Sequence, residues 1–472
     1  MADSRFAAYR HFFQDRWPLG LKASLFVFII IASFLLSNWL AGPDWAEETR
    51  YALLLLLLAI GLWLSEAIPP FATALLVIGI GVLGLSSPVL SSHPIAYTQF
   101  TETLSSSVIW LLLGGFFLAQ GMQKAGLDLQ VFQFTMRLFG TEPKRALLGL
   151  MLTTWLASSI LSNTASTAMM LAAILPLMRK LGARAPMTKA SMLGIPAAAT
   201  LGGMATIIGS PPNAVAVGFL EKQGLMVSFP QWVGYGLVPS LLLTLMSWWI
   251  LTRKYPPQVD RVNTNIPDKD HPLSTPKQAT VIIALFLTLI LWFTTPLHGI
   301  AVTATAFVPI VLLTVSGVIT ADDFNGMPWD TLILVAGGLS LGVAMTETGL
   351  VMRMADGLQH LPIHGPGFIL LLAYVTVLLS NIMSNTAAST VLLPIALEAL
   401  PGMELETAVT VGLSASCALF LPVSTPPNAI AYSYGYLEQK DFRMLGSYLA
   451  LIAPPLILAW VIFLKTLESW TL

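Results

Sequence analysis

Four short polar segments stand out because their residue types and spacing could do chemistry. Two are the triplets Ser162-Asn163-Thr164 and Ser384-Asn385-Thr386. The others are Ser210-Pro211-Pro212-Asn213 and Thr425-Pro426-Pro427-Asn428, and all four interrupt long apolar runs. A Pro-Pro pair removes two backbone donors and cannot lie inside an unbroken helix. A helix broken in this way has free N–H groups at one new end and free C=O groups at the other. In a low-dielectric region each bare group costs several kcal/mol, so such breaks persist where an ion or ligand satisfies them. The N-terminal ends suit a carboxylate or sulfate. Carbonyls freed at the other ends, with Ser, Thr and Asn oxygens, suit a hard cation such as sodium. One Ser-Asn-Thr alone would read as a helix cap. Two copies, each followed about 40 to 50 residues later by Pro-Pro-Asn, point to a paired binding device.

Other chemistries lack their residues. The chain has no G-x-x-x-x-G-K-[ST] phosphate loop and no H-E-x-x-H, which argues against an ATP-driven pump and a zinc hydrolase. With Cys417 as the only cysteine, no intrachain disulfide or thiolate metal cluster can form. His11, His93, His271, His298, His360 and His364 fall at or outside the edges of the apolar segments, a poor layout for a proton relay. Glu66 and Glu347 lie near helix ends, where a structural or interfacial role is expected. No Arg or Lys falls inside the interrupted segments, so an anion there would be held by dipoles and neutral donors. A dianion in such a place needs another source of positive charge, and co-bound sodium supplies it. Each ion then raises the affinity for the dianion, and the reverse.

The elements that must position these residues are membrane helices. Of 472 residues, 56% are apolar and 10% charged, whereas a soluble chain carries about 25% charge. Apolar runs of roughly twenty residues, long enough to cross a bilayer, recur throughout. They are continuous rather than alternating, which favours helices over a barrel. The fold class expected is an all-α polytopic membrane protein with about 11 transmembrane helices plus two re-entrant hairpins. The pattern predicts spans near 23–40, 51–65, 68–85, 106–124, 190–220, 232–252, 278–294, 299–318, 329–348, 407–436 and 444–466. The hairpins are 146–178 and 367–397, and no cleavable leader is evident.

Charge placement supports this topology. With the N-terminus cytoplasmic, only Arg50, Lys222, Arg353 and Lys465 lie outside, and the other 19 of 23 basic residues lie inside. The C-terminus is then outside. Three motifs recur in the same order. Gly114-Gly115 with Gly126-Leu127 returns as Gly337-Gly338 with Gly349-Leu350, a shift of 223. The Ser-Asn-Thr triplets are separated by 222 and the Pro-Pro-Asn breaks by 215. Each copy holds five crossings and one hairpin. An odd number of crossings inverts the second copy, giving an inverted repeat of the kind found in secondary transporters. The organisation expected is a cytoplasmic N-terminus and first helix (1–50), a first repeat (51–253), a cytoplasmic linker (254–277) and a second repeat (278–472).

These residues resemble the divalent anion/sodium symporters. The resemblance runs from Leu62-Trp63-Leu64-Ser65-Glu66-Ala67 to the last span and rests most on the two Ser-Asn-Thr and two Pro-Pro-Asn signatures. It implies a first sodium site at Ser158, Ser162, Asn163 and the Gly209 region. A second is implied at Ser380, the Met383 carbonyl, Asn385 and the Ser424 region. Substrate carboxylates would be met by Asn163, Thr164, Ser210, Asn385, Thr386 and Thr425. It also implies a homodimer and an elevator-type alternating-access mechanism. Position 424 is Ser where relatives commonly carry alanine, and position 383 is Met. Both contacts are expected to use backbone atoms. The function expected is sodium-coupled symport of a small dianion, first a C4-dicarboxylate such as succinate, in a bacterial inner membrane. Alternatives are a sulfate or tricarboxylate transporter, a sodium-independent dicarboxylate exchanger and, in a different class, a non-transporting receptor. No enzyme activity and no nucleic-acid partner are expected.

Overall fold

A computed structural model describes residues 19–89, 91–182, 184–261, 274–359 and 363–471. The basic N-terminal segment with Arg5, Arg10 and Arg16, half of the expected linker (262–273, with Lys269), and His11, His271 and His360 lie outside the described residues. Among the described residues the fold is all-helical. The first three long helices are α1 (Leu19–Leu40), α2 (Glu47–Ser65) and α3 (Pro70–Ile80). Next come α4 (Ser107–Ala125), α5 (Leu127–Phe139), and the pair α6 (Pro143–Ser158) and α7 (Asn163–Leu181). The first half closes with α8 (Pro186–Gly202), α9 (Pro211–Lys222) and α10 (Phe229–Lys254). The second begins with α11 (Thr275–Phe293), α12 (Val302–Val315), α13 (Trp329–Glu347) and α14 (Leu350–Gln359). It continues with α15 (Pro366–Ser380), α16 (Asn385–Ala399), α17 (Glu404–Ala415), α18 (Pro426–Ser433) and α19 (Gln439–Thr471). The order from α2 to α10 is thus repeated from α11 to α19.

Seven of the described helices are long and apolar enough to cross a membrane, and three further apolar helices are shorter. The remaining expected crossings are those broken by the polar segments. Burial sorts the spans. Only 17% of α1 and 22% of α11 is buried against the rest of the chain, so their apolar faces are left for lipid. By contrast 67% of α13 is buried, and it packs against α3 and α16.

The polar segments break the helices where the sequence requires. Ser162 and Ser384 have extended backbone, and their hydroxyls accept from Ala165 N (3.1 Å) and Ala387 N (3.2 Å), capping α7 and α16. The Pro-Pro pairs open α9 and α18, where the N–H groups they lack would have had no partner. Glu66 sits in the left-handed region (φ 50°) at the end of α2 and so serves as a helix stop.

Two of these helices, α5 and α14, lie outside the expected spans. Gly126 (φ 67°) ends α4 and Gly349 (φ 69°) follows α13, and each turn leads into a short helix, α5 or α14. These helices are apolar along one face only, and a search for continuous apolar runs passes over them.

Packing brings the two halves together around the breaks. Helix α7 packs against α18, α16 against α9, and α8 against α18. Helix α17 is surrounded by α9, α15, α16 and α19. One apolar core runs through residues of both halves.

Candidate functional site

The site is built from the turn at the tip of each hairpin and the loop before each Pro-Pro pair. In the first half the loop between α8 and α9 folds back on itself. The Asn213 amide nitrogen donates to Gly203 O (2.8 Å) and Thr206 O (2.7 Å). Gly209 N donates to Thr206 Oγ1 (3.0 Å), and Thr206 Oγ1 donates to Ser159 O in the hairpin turn. The approach is close enough that a Cβ on Gly209 would lie 2.6 Å from Gly203 O. Glycine is therefore required at 209 for packing, and the loop is pinned to the tip of the hairpin.

This folding presents Asn163 with an unusual set of neighbours. One arm of its amide lies 2.7 Å from Ser158 Oγ, 3.0 Å from Ala199 O and 3.2 Å from Gly209 O. The two carbonyls can only accept. An amide oxygen on that arm completes a group of four oxygens suited to a hard cation, whereas an amide nitrogen there donates to all three neighbours. The other arm faces donors. Of the expected cation residues, Ser158, Asn163 and Gly209 therefore converge, and the Ser162 hydroxyl is used in capping α7.

In the second half the corresponding loop is held differently. The Asn428 amide nitrogen donates to Leu421 O (3.0 Å) and Leu419 O (3.4 Å). Asn381 Oδ1 accepts from Phe420 N and Ser424 Oγ, both at 2.9 Å, tying the loop to its hairpin. Ser380 Oγ and Asn385 Oδ1 are buried with no hydrogen-bond partner among the described residues. Each occupies the position of Ser158 or Asn163 in the repeat, so two oxygens expected at the second cation site are free to coordinate. Met383, which lies between them in the chain, is buried, as is Ser424 in the loop before α18, and the Ser424 hydroxyl is already engaged by Asn381 and Leu421 N.

The expected anion residues sit at helix N-termini. Asn163 and Thr164 open α7, and Asn385 and Thr386 open α16. Ser210 precedes α9 without capping it. Its Oγ lies 3.3 Å from Ser416 Oγ in the other half, a direct polar link between the repeats. Thr425 caps α18, accepting from Asn428 N at 3.3 Å. Three ionic side chains on these elements have partners of their own. Lys189 pairs with Asp441 (3.0 Å), Glu406 with Lys465 (2.5 Å), and Lys222 donates to Leu339 O (2.9 Å). Each of these helix N-termini offers an anion backbone N–H groups and neutral donors.

Several residues of this architecture were not singled out in the sequence. Asn213 and Asn428 were seen as parts of motifs, but their bracing role needs the folded loop. Ala199 contributes through its carbonyl, which leaves no side-chain signature. Asn381 stands where the first half has Ser159, so comparing the two hairpins residue by residue would have drawn attention to it.

A family model described as a citrate transporter matches residues 60–412. The chain belongs to this family. Two similar proteins are sodium-dependent dicarboxylate transporters named SdcS. The one from Staphylococcus saprophyticus is 28% identical, over 98% of this chain and 96% of the relative. The one from Staphylococcus aureus (strain bovine RF122) is 30% identical, over 91% and 89%. The inorganic phosphate transporter PHO87 of Saccharomyces cerevisiae is 28% identical over 94% of this chain, which spans only 49% of that longer protein. Two solved structures share the fold. The YdaH transporter of Alcanivorax borkumensis, described as having an unusual topology, has a TM-score of 0.53 at 15% identity, covering 93% of this chain and 98% of its own. MtrF of Neisseria gonorrhoeae, described among antimetabolite efflux pumps, has a TM-score of 0.54 at 12% identity, covering 84% and 94%. Family members and structural neighbours alike are transporters rather than enzymes. The chain is accordingly a multi-pass membrane transporter.

Proposed function

We propose that this transporter couples sodium to the uptake of a small dianion, a C4-dicarboxylate such as succinate. The observation that carries the reading is the Asn163 amide, with one arm directed at Ser158 Oγ, Ala199 O and Gly209 O and the other at donors. A cation among the first group and an anion against the second satisfy both arms at once. Ser380 Oγ and Asn385 Oδ1, buried and free of protein partners, support a second cation position in the other half. Ser162, Met383 and Ser424 complete the two sodium sites through backbone oxygens. Substrate carboxylates meet Asn163, Thr164, Ser210, Asn385, Thr386 and Thr425. The names of the two SdcS relatives, matched over nearly their whole length, favour sodium and a dicarboxylate over the other members of the substrate class.

The two halves form an inverted repeat, so hairpin 146–178 enters from the cytoplasm and hairpin 367–397 from outside. The protein works as a homodimer in the bacterial inner membrane, with the N-terminus in the cytoplasm. The broken helices and hairpins move as one body against a scaffold that includes α4 and α13. Close glycine contacts support such sliding. Gly115 meets Ile208, Gly218 meets Leu339 and Val108, and Gly342 meets the Phe219 ring. Small residues keep that interface smooth enough for displacement.

The test is uptake of labelled succinate into proteoliposomes, with and without an inward sodium gradient. The expected result is sodium-dependent uptake that is lost in Asn163→Ala and in Asn385→Ala. Uptake that ignores sodium and requires internal dicarboxylate would instead make the protein an exchanger.

A further inference from the structure

We infer that Ser416, contributed by the second half, positions the Ser210 hydroxyl so that its proton faces a carboxylate of the dianion. The inference rests on the proposed placement of a dianion at the helix tips and adds a residue that none of the four motifs contains. Ser210 and Ser416 are 1% and 0% exposed, lie 206 apart in sequence and bring their Oγ atoms to 3.3 Å. Two hydroxyls carry two protons, and the bond between them uses one. Neither hydroxyl has another partner among the described residues. One buried O–H is therefore left without an acceptor, whichever of the two donates. A bare buried hydroxyl is costly, and a carboxylate oxygen at the N-terminus of α9 is an acceptor that suits it.

The two halves show why Ser210 is the hydroxyl that meets the anion. Ser210 and Thr425 have similar extended backbone before their Pro-Pro pairs (φ −146° and −139°). Thr425 Oγ1 accepts from Asn428 N and so caps α18. At α9 the equivalent N–H, that of Asn213, bonds instead to the Ser210 carbonyl (3.0 Å), which releases the Ser210 hydroxyl from capping. Ser416 closes the last turn of α17, its N–H bonded to Leu413 O (3.1 Å), so its backbone is fixed where the loop toward α18 begins. With Ser416 donating, Ser210 Oγ accepts on one side and donates on the other. A hydroxyl that accepts a bond becomes the stronger donor. A shift of 215 places Leu201 where the second half has Ser416, so Thr425 receives no such support. The two ends of the dianion are thus met unequally.

The test is calorimetric binding of succinate and of sodium by the full chain in lipid nanodiscs, with thermal melting alongside. Ser210→Ala should weaken succinate binding in sodium by about tenfold or more, the loss of a bond to a charged group. Ser416→Ala should weaken it roughly fivefold to tenfold, the loss of one neutral bond and its support. Its melting temperature, and its sodium affinity measured without succinate, should stay at the wild-type values. The double variant should bind no more weakly than Ser210→Ala, because Ser416 acts through Ser210. In proteoliposome uptake Ser416→Ala should raise KM with little change in maximal rate. Succinate affinity within about twofold of wild type in Ser416→Ala, the result if a bound water takes the spare proton, overturns the inference. Additive losses in the double variant, or an equal loss of sodium affinity in Ser416→Ala, overturn it as well. In each of these cases the dianion reading stands as long as Ser210→Ala weakens binding. If the wild type binds succinate and Ser210→Ala binds it equally well, the placement at Ser210 fails, and the inference with it.

Discussion

Replacing Asn213 with alanine should loosen the loop that carries the Gly209 carbonyl, and the size of the effect follows from the hydrogen bonds. The Asn213 side chain is fully buried, and its nitrogen holds Gly203 O at 2.8 Å and Thr206 O at 2.7 Å. Each bond contributes about 1 kcal/mol, and a buried carbonyl left unpaired costs about 1–3 kcal/mol. Thr206 O keeps a weaker bond from Gly209 N (3.3 Å), and removing the unpartnered Asn213 Oδ1 offsets part of the loss. The net is about 2–3 kcal/mol, roughly 30- to 150-fold in the equilibrium that holds the loop in place. Thermal melting in detergent and sodium binding by calorimetry should both register it. Sodium affinity should fall by that factor, with a lower melting temperature. Asn428→Ala breaks bonds of 3.0 and 3.4 Å and should cost less, about 1–2 kcal/mol. Sodium affinity within threefold of wild type in Asn213→Ala would refute the claim that this bracing builds the first cation position.

Two further outcomes concern charge. Lys465→Met leaves the Glu406 carboxylate, 5% exposed, without its partner and should destabilise the protein by about 2–3 kcal/mol; Lys465→Met with Glu406→Gln should recover most of the melting temperature. Asp323 is half-buried, and this partial loss of solvent pushes its carboxyl up, but hydrogen bonds from Lys124, Thr320 and Gln120 outweigh it and hold the group at about 2, below the ordinary 3.8. The stabilisation is therefore complete above pH 3.8 and disappears as pH falls toward 2. The melting temperature of the wild type should exceed that of Asp323→Asn at neutral pH, a difference of about 1–2 kcal/mol that closes over that window.

Much of this fold is legible in the sequence, because a bilayer makes length and apolar content decisive. The expected span 329–348 is the helix Trp329–Glu347, and hairpin 367–397 is the pair Pro366–Ser380 and Asn385–Ala399. The breaks are legible because proline and capping serine act locally. Helices α5 and α14 are not, since a short helix with one apolar face carries a periodic signal that continuous hydropathy averages away. The site is legible in its side chains and hidden in its backbone. Ser158 and Asn163 come to the fore through the repeated motif, whereas Ala199 O enters only because the loop after α8 folds onto the hairpin. Asn381 illustrates the same limit. Its hold on Phe420 and Ser424 joins residues about 40 apart in sequence, and no local rule connects them.

The central claim is that sodium and the dianion cross together, and co-flux tests it most directly. Sealed proteoliposomes are given equal sodium on both sides, and external succinate drives entry of radiolabelled sodium. Symport predicts sodium entry that follows succinate entry in fixed ratio and stops in Asn163→Ala. Succinate entry with no accompanying sodium would contradict the account.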